Sequence, residues 1–364
     1  MKTINSILIF IFLVFTISNL GAQKQPGNKW TTEQAWEWYK KTGPLKGFNY
    51  LPSTAINSTE MWQAQTFDTE TIDRELGWAR EAGYNSARVF LQYLVWEADS
   101  KGYVDRMEKF LQIADKHGIS IMFIFFDDCA FAGKEPYLGK QDDPVPGVHN
   151  SGWTPSPGPG KVINKKYWPQ LEKFVKDVVG TFKNDTRVIV WDMYNEPGNS
   201  NMWEKSLLLV EASFRWTREV NPSQPLTVAP YGDFYNIFSK NSLMTKRFFE
   251  LSDVISFHAY ETPDKIAEKV YVLHDNYDRP LICTEWLRRQ NGGTFENILP
   301  IFAEHKVSWY QWGLVAGKIQ TYMHWGSKKG DPEPEIWQHD VFHKDGEPYD
   351  SSEYNWVRNF EFEK

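Results

Sequence analysis

Two short stretches place carboxylates where a side chain can do acid–base or nucleophilic work. In VIVWDMYNEPG an apolar run gives way to Asn195, Glu196 and Pro197. Pro197 has no backbone N–H for a sheet ladder and biases the residue before it away from helix, so Glu196 falls at a strand-to-loop junction. In PLICTEW a short run of apolar or small residues leads to Glu285 and Trp286. One glutamate near a strand end reads as a solvated loop residue. Two at matching strand ends suit cleavage of a glycosidic bond, in which one acid protonates the leaving oxygen and the other attacks the anomeric carbon or activates water.

Matching ends require an architecture that repeats. Strand-like runs at 47–51, 86–91, 119–126, 188–191, 226–229, 254–257, 280–284 and 307–311 alternate with stretches of helical periodicity. Asp68 reads as the N-cap of a helix through Ala82 that Gly83 stops, with Ile72, Leu76 and Ala79 on one face. The run ISIMFIFF at 119–126 is apolar throughout, as expected of a strand covered on both faces in a parallel sheet. About eight strand–helix units suit a closed parallel (β/α)8 barrel better than an open doubly wound sheet. The fold class expected is α/β, a single-domain barrel with long loops after strands three and eight. The first loop, 127–163, is rich in Gly and Pro and carries Tyr137, His149 and Trp153; the second spans 317–349. Both leave the strand ends where barrel active sites lie, and loops of this size are usually functional or disordered.

The chain of 364 residues is 41% hydrophobic and 24% charged, with Lys+Arg 40 against Asp+Glu 47. No basic stretch offers to neutralise a phosphate backbone, which argues against nucleic acid as a partner. Aromatic residues reach 16%, including 17 Trp, a supply of flat faces for sugar rings as well as of core filler. The opening MKTINSILIFIFLVFTISNLGAQ has one lysine, an apolar run and small residues at Gly21 and Ala22. It reads as a signal peptide over 1–22 ahead of a catalytic domain over 23–364, with an uncleaved anchor as the competing reading. A secreted or periplasmic location follows, with no membrane contact beyond that segment. Cys129 and Cys283 could pair after export or stay as buried thiols.

Taken together, the motifs resemble the retaining glycoside hydrolases of clan A, a barrel superfamily that includes the family 5 cellulases and mannanases. The resemblance runs nearly end to end over 23–364 in the order of the motifs. It implies a TIM barrel, with Glu196 as acid/base and Glu285 as nucleophile. Arg88 in SARVF resembles the arginine that hydrogen-bonds the nucleophile, and Asn195 the residue that contacts the sugar 2-hydroxyl. His258 and Tyr260 in SFHAY flank the site, and Trp312 in YQWGLV resembles the tryptophan beneath the sugar next to the cleaved bond. The chain departs from many family 5 members at the end of strand three, where Asp127-Asp128-Cys129 stands in place of an Asn or similar polar residue. The stretches GLVAGKIQTYMHWG and WQHDVF do not align with the cellulases, so sugar and linkage stay open.

Plainer roles compete at each position. Arg88 could serve as a structural ion-pair partner, His258 as a core histidine, and Tyr260 and Trp312 as packing groups. Trp153, Trp325 and Trp337 lie in loops and either face substrate or pack. Asp128 and Asp340 either bind sugar hydroxyls or brace loops. The chemistry needs no metal or organic cofactor: Glu285 must be ionised, helped by Arg88, and Glu196 protonated, its pKa raised by burial and by the charge of Glu285. The chain holds no HExxH, paired CxxC, phosphate-binding GxxxxGK[ST] or GxSxG motif, and the Gly158/Gly160 fragment lacks the context of a dinucleotide site. The function expected is retaining hydrolysis of β-glycosidic bonds in a carbohydrate partner. The alternatives are a transglycosylase using the same residues and a carbohydrate-binding barrel without catalysis.

Overall fold

The computed structural model describes residues 27–231 and 240–362; the expected signal peptide lies outside them. Eight strands are present among the described residues: β1 (Lys46–Tyr50), β2 (Ser86–Phe90), β3 (Ser120–Asp127), β4 (Val188–Asn195), β5 (Leu226–Ala229), β6 (Ile255–Ala259), β7 (Leu281–Trp286) and β8 (Ser308–Gln311). All neighbouring pairs are parallel, in the order β5-β4-β3-β2-β1-β8-β7-β6. The β5/β6 seam has no regular ladder. It is closed by Asp253, whose N–H donates to Leu226 O at 2.8 Å and whose carboxylate accepts from Leu226 N at 2.9 Å. The Thr227 hydroxyl adds bonds of 2.8 Å to Val254 O and to the Ser256 hydroxyl. The result is a nearly closed TIM barrel.

Why these residues make these elements can be seen in β3. Ile121, Phe123 and Phe125 point outward into the layer between strands and helices, while Met122 and Ile124 point into the barrel. A strand buried on both faces needs apolar residues at every position, hence the unbroken run. Asp68 caps the helix Thr69–Glu81 by accepting from Thr71 N at 3.0 Å, and Gly83 ends it at φ +95°, a backbone state that costs glycine least.

Inside the barrel the chemistry changes from one end to the other. At the N-terminal end Trp30, Ala35 and Leu45 plug an apolar layer of Met122, Val190, Val254, Ile282 and Tyr310. Gly47 makes room there, since a Cβ at this position would lie 2.2 Å from the Tyr310 ring. Nearer the C-terminal end the interior turns polar, with Asn49, Arg88, Asp192 and Gln311 all buried. That polar layer is the floor on which the carboxylate pair stands.

The strands run further than the sequence pattern suggests. β4 continues through Asn195, so Glu196 is the first residue beyond it, and β7 continues through Trp286, so Glu285 lies within the strand. The ladder with β6, pairing His258 with Glu285 and Ala259 with Trp286, holds this end of β7 in place.

The two long loops are ordered and tied to each other. Asp127 and Ser156 form an antiparallel bridge at the base of the first. Across to the second loop, Asn150 N donates to Ile319 O at 2.9 Å, His149 N to the Ser327 hydroxyl at 3.0 Å and Gly330 N to Pro146 O at 2.9 Å. The buried Gln320 side chain clamps Gly147 N, Val145 O and Val148 O at 3.0, 2.8 and 3.2 Å. No helix among the described residues is long and apolar enough to cross a membrane.

Candidate active site

Glu196 leaves β4 in an unusual conformation, φ +45°, while its N–H donates to Ala229 O at 2.8 Å. Left-handed backbone at a residue other than glycine is strained and needs support from its surroundings. Asp128 supplies it: its carboxylate accepts from the Tyr194 hydroxyl at 2.6 Å, from Gly198 N at 2.7 Å and from the Ser206 hydroxyl. Asp128 therefore braces the turn that carries Glu196 and lies outside the cavity wall, the bracing role of the two the sequence left open and not the sugar-ligand role. Asp340 falls on the same side of that choice. It is fully buried behind the Trp312 floor, accepts from the Thr321 hydroxyl at 2.8 Å, and belongs to the loop after β8.

The two glutamates meet across the barrel mouth. One side-chain atom from each of Glu196, His258 and Glu285 lies within 4.8 Å of the other two. His258 Nδ1 sits 2.8 Å from Glu196 Oε1 and 3.4 Å from Glu285 Oε2. On its other oxygen Glu196 accepts from Asn199 Nδ2 at 2.5 Å and from the Cys129 thiol at 3.3 Å. Glu285 accepts from Arg88 Nη1 at 3.1 Å and from the Tyr260 hydroxyl at 2.9 Å.

Arg88 works from behind. It is completely buried, paired with Asp192 at 2.7 Å and Glu285 at 3.1 Å, and it donates to Asn49 and Asn195 at 2.8 Å each. The structural ion pair and the contact to Glu285 are thus both present, while the guanidinium stays off the cavity surface. Asn195 also donates to Asp127 at 2.9 Å, so its amide is oriented from two sides.

Proton affinities depart from the expectation stated above. Burial favours the neutral form of Glu196, but the His258 hydrogen bond and charge, then Asn199 and Cys129, hold the carboxyl below its usual value. Glu285 moves upward because burial, reinforced by the Glu196 charge, outweighs His258 and Arg88. His258, which lies nearer Glu196, offsets the rise that burial alone would give that carboxyl.

A cavity of about 550 Å³ opens over this pair, within the usual range for small-molecule sites. Asn195, Glu196, His258, Tyr260, Glu285, Trp153, Trp312 and Trp325 all line it. Phe90, Trp153 and Trp312 meet edge to face, with ring centroids 4.8 to 6.0 Å apart, as an aromatic corner. The Trp153 indole N–H is tied to Asp127 at 2.7 Å, so that wall is fixed. Trp325, 44% exposed, packs at 5.0 Å against Tyr260 and lies under the Arg288 guanidinium. Trp337 is buried and stacks on Tyr349, away from the cavity.

Sequence reasoning missed Asn199, Tyr231 and His339 in this wall, and named His149 only as part of the loop after β3. Asn199 lies one turn beyond Glu196 and could have been found from that spacing; the others come from loops and carry no local signal. His149 is pushed down to about 4 and His339 well below its usual value by burial, so neither adds charge at neutral pH. Both cysteines are free and buried.

A parallel barrel with facing carboxyl groups and an aromatic-walled cavity at its C-terminal face is the architecture of the barrel glycoside hydrolases. Residues 103–337 match the family described as glycosyl hydrolases family 2, TIM barrel domain, and the chain belongs to that family. No curated protein matches it. Similar solved structures include a GH5_18 protein of Streptomyces cattleya in complex with Manβ1-4GlcNAc, at 11% identity and TM-score 0.59 over 88% of this chain and 82% of that one. The endo-β-1,4-mannanase of Thermotoga petrophila matches at 12% identity and TM-score 0.56 over 88% and 77%. The exo-β-1,4-mannosidase Op5Man5 of Opitutaceae bacterium strain TAV5 matches at 16% identity and TM-score 0.57 over 87% and 59%. At these identities the likeness is one of fold, and it agrees with the family 5-like reading of the motifs.

Proposed function

We propose that the protein is a secreted retaining glycoside hydrolase that cleaves β-glycosidic bonds by double displacement. The observation that carries this is that one side-chain atom from each of Glu196, His258 and Glu285 comes within 4.8 Å of the others at the cavity floor, so that an oxygen of each carboxyl faces the same point. Retaining enzymes hold their carboxyl groups about 5–5.5 Å apart, whereas inverting ones need roughly 6.5–9.5 Å to admit a water between acid and sugar.

In the first step a Glu285 oxygen attacks the anomeric carbon while Glu196 gives its proton to the departing oxygen. Arg88 and Tyr260 hold the attacking carboxylate, and Asn195 reaches the sugar beside it. In the second step Glu196 takes a proton from water, the water oxygen bonds to the anomeric carbon, and Glu285 departs with its electron pair. Configuration is inverted twice and so retained.

The substrate reading is terminal sugars or short oligosaccharides, with β-mannosides first. The interlocked loops after β3 and β8 supply His149, Trp153, Trp325 and His339 to the cavity wall, which favours a bounded cleft over a long groove. The mannan-active names among the similar folds favour the sugar. A mass-resolved digest of mannans, glucans, xylans, galactans and aryl β-glycosides, with unmutated protein and Glu285→Gln, tests the proposal. Short or single-sugar products from the first and none from the second support it, as does NMR detection of the β-anomer as first product. Long internal fragments would overturn the chain-end reading, and an α-anomer the retaining one.

A further inference from the structure

Cys129 stands two residues beyond β3, at the cavity wall, and the steps above do not use it. Its Sγ lies 3.3 Å from Glu196 Oε2, the same oxygen that Asn199 Nδ2 reaches at 2.5 Å. The sulfur is itself approached by Asn199 Nδ2 at 3.3 Å and by Asn195 Nδ2 at 3.7 Å, so its acceptor side is occupied and its hydrogen is directed to the carboxylate. The backbone holds it there: Cys129 N donates to Asp127 at 3.0 Å and Ala130 N to the Ser200 hydroxyl at 3.0 Å.

Resting on the proposed roles of the two glutamates, we propose that Cys129 is a positioning residue which sets the proton affinity of Glu196 by donating a deliberately weak thiol hydrogen bond to it. A general acid that becomes a general base has to be held in both protonation states. A strong third donor on Glu196, beside His258 and Asn199, stabilises the carboxylate and starves the acid step. With no donor the carboxyl keeps its proton, which starves the base step. A thiol lies between these extremes, because S–H donates more weakly than O–H. The groups facing Glu196 are His258 from β6, Asn199 from its own turn, Glu285 from β7, Tyr260 just beyond β6, Tyr231 just beyond β5, and Asp128 and Cys129 from the loop just beyond β3. Burial and the neighbouring Asp127, Glu196 and Glu285 charges push the thiol well above its usual value, so it remains a donor at neutral pH.

Two substitutions pull in opposite directions, which a merely structural role does not produce. Cys129→Ser supplies a stronger donor, stabilises ionised Glu196 and moves the basic limb of the kcat/KM profile to lower pH. Cys129→Ala removes the donor and moves that limb to higher pH. Each shift is expected to be about half a unit to one unit, with the acidic limb moving less. Activity is read on the best substrate of the digest panel, over about pH 4–9, the window in which these groups titrate.

A readout independent of turnover is carboxamidomethylation of Cys129 by iodoacetamide at mildly alkaline pH, mapped by peptide mass. Glu196→Gln removes the adjacent charge and is expected to speed the modification several-fold, while the fully buried Cys283 stays unmodified. Basic limbs that do not move, or move the same way, in an enzyme that hydrolyses its substrate overturn this inference alone. Equal alkylation rates with and without the Glu196 carboxylate overturn it as well. Absence of any glycoside turnover by the unmutated protein overturns the functional reading, and this inference with it.

Discussion

Glu196 and Glu285 are close enough for each to set the other's proton affinity, and His258 sits between them at 2.8 and 3.4 Å. Their titration belongs to the pair, so kcat/KM should be bell-shaped with two macroscopic values. His258 lowers both carboxyls, and its removal raises both. In His258→Ala the basic limb, which marks loss of the proton from the acid, therefore moves to higher pH by about one unit, and the acidic limb moves the same way. A pH–rate profile of the variant checks this. The identities of the two glutamates were legible because Asn-Glu-Pro and Thr-Glu-Trp end apolar strands. The downward pull on Glu196 was not, because His258 arrives from a different strand.

At the scale of elements, β1, β2, β4 and β7 each contribute to one buried polar layer. Arg88 on β2 is neutralised by Asp192 on β4 and Glu285 on β7, and all three are buried. Removing one partner from such a set leaves charge uncompensated in the interior, at a cost of about 3–5 kcal/mol. Asp192→Asn should show this loss in chemical denaturation, and should also weaken activity by letting Arg88 shift against Glu285. The loops make a second test. Gln320 joins the loop after β8 to the one after β3 through three bonds, each worth about 0.5–1.5 kcal/mol. Gln320→Ala should open the 145–150 segment to limited proteolysis and raise KM for a chain-end substrate, while kcat changes little. Strand positions were legible to within a few residues because alternation and apolar runs are local. The docking of one loop on the other was not, since Gly- and Pro-rich stretches carry no periodicity.

For the whole molecule, several carboxyls are buried where burial outweighs whatever hydrogen bonds and cations lie nearby. Glu75, which accepts from the Tyr50 hydroxyl and Ser53 N, is pushed up to about 7 by burial, as are Asp127 and Asp340, and Asp128 to about 6. Their values in the unfolded chain lie near about 4. Between these limits the folded protein keeps protons that the unfolded chain has lost, so stability falls as pH rises from about 4 to about 7. Asp73 and Asp185, held low chiefly by hydrogen bonds from Lys116 and Arg187, act with the opposite sign and lose their contribution only at more acid pH. Melting temperature should therefore be highest near about pH 4 and decline toward about pH 7, a trend that differential scanning calorimetry reads directly.

The chain order of the eight strands and the glutamates at the ends of β4 and β7 were readable from the amino acids. Each depends on neighbours within a few positions. What Asp128 and Asp340 do was decided only by folding. A carboxylate looks the same in sequence whether it faces a cavity or accepts bonds from Tyr194, Gly198 and Ser206. The same holds for Cys129, which a strand-end pattern marks only as a small buried residue and which the barrel sets 3.3 Å from Glu196. Proximity across a closed barrel depends on strand register and loop docking, and neither is written in any local stretch of the chain.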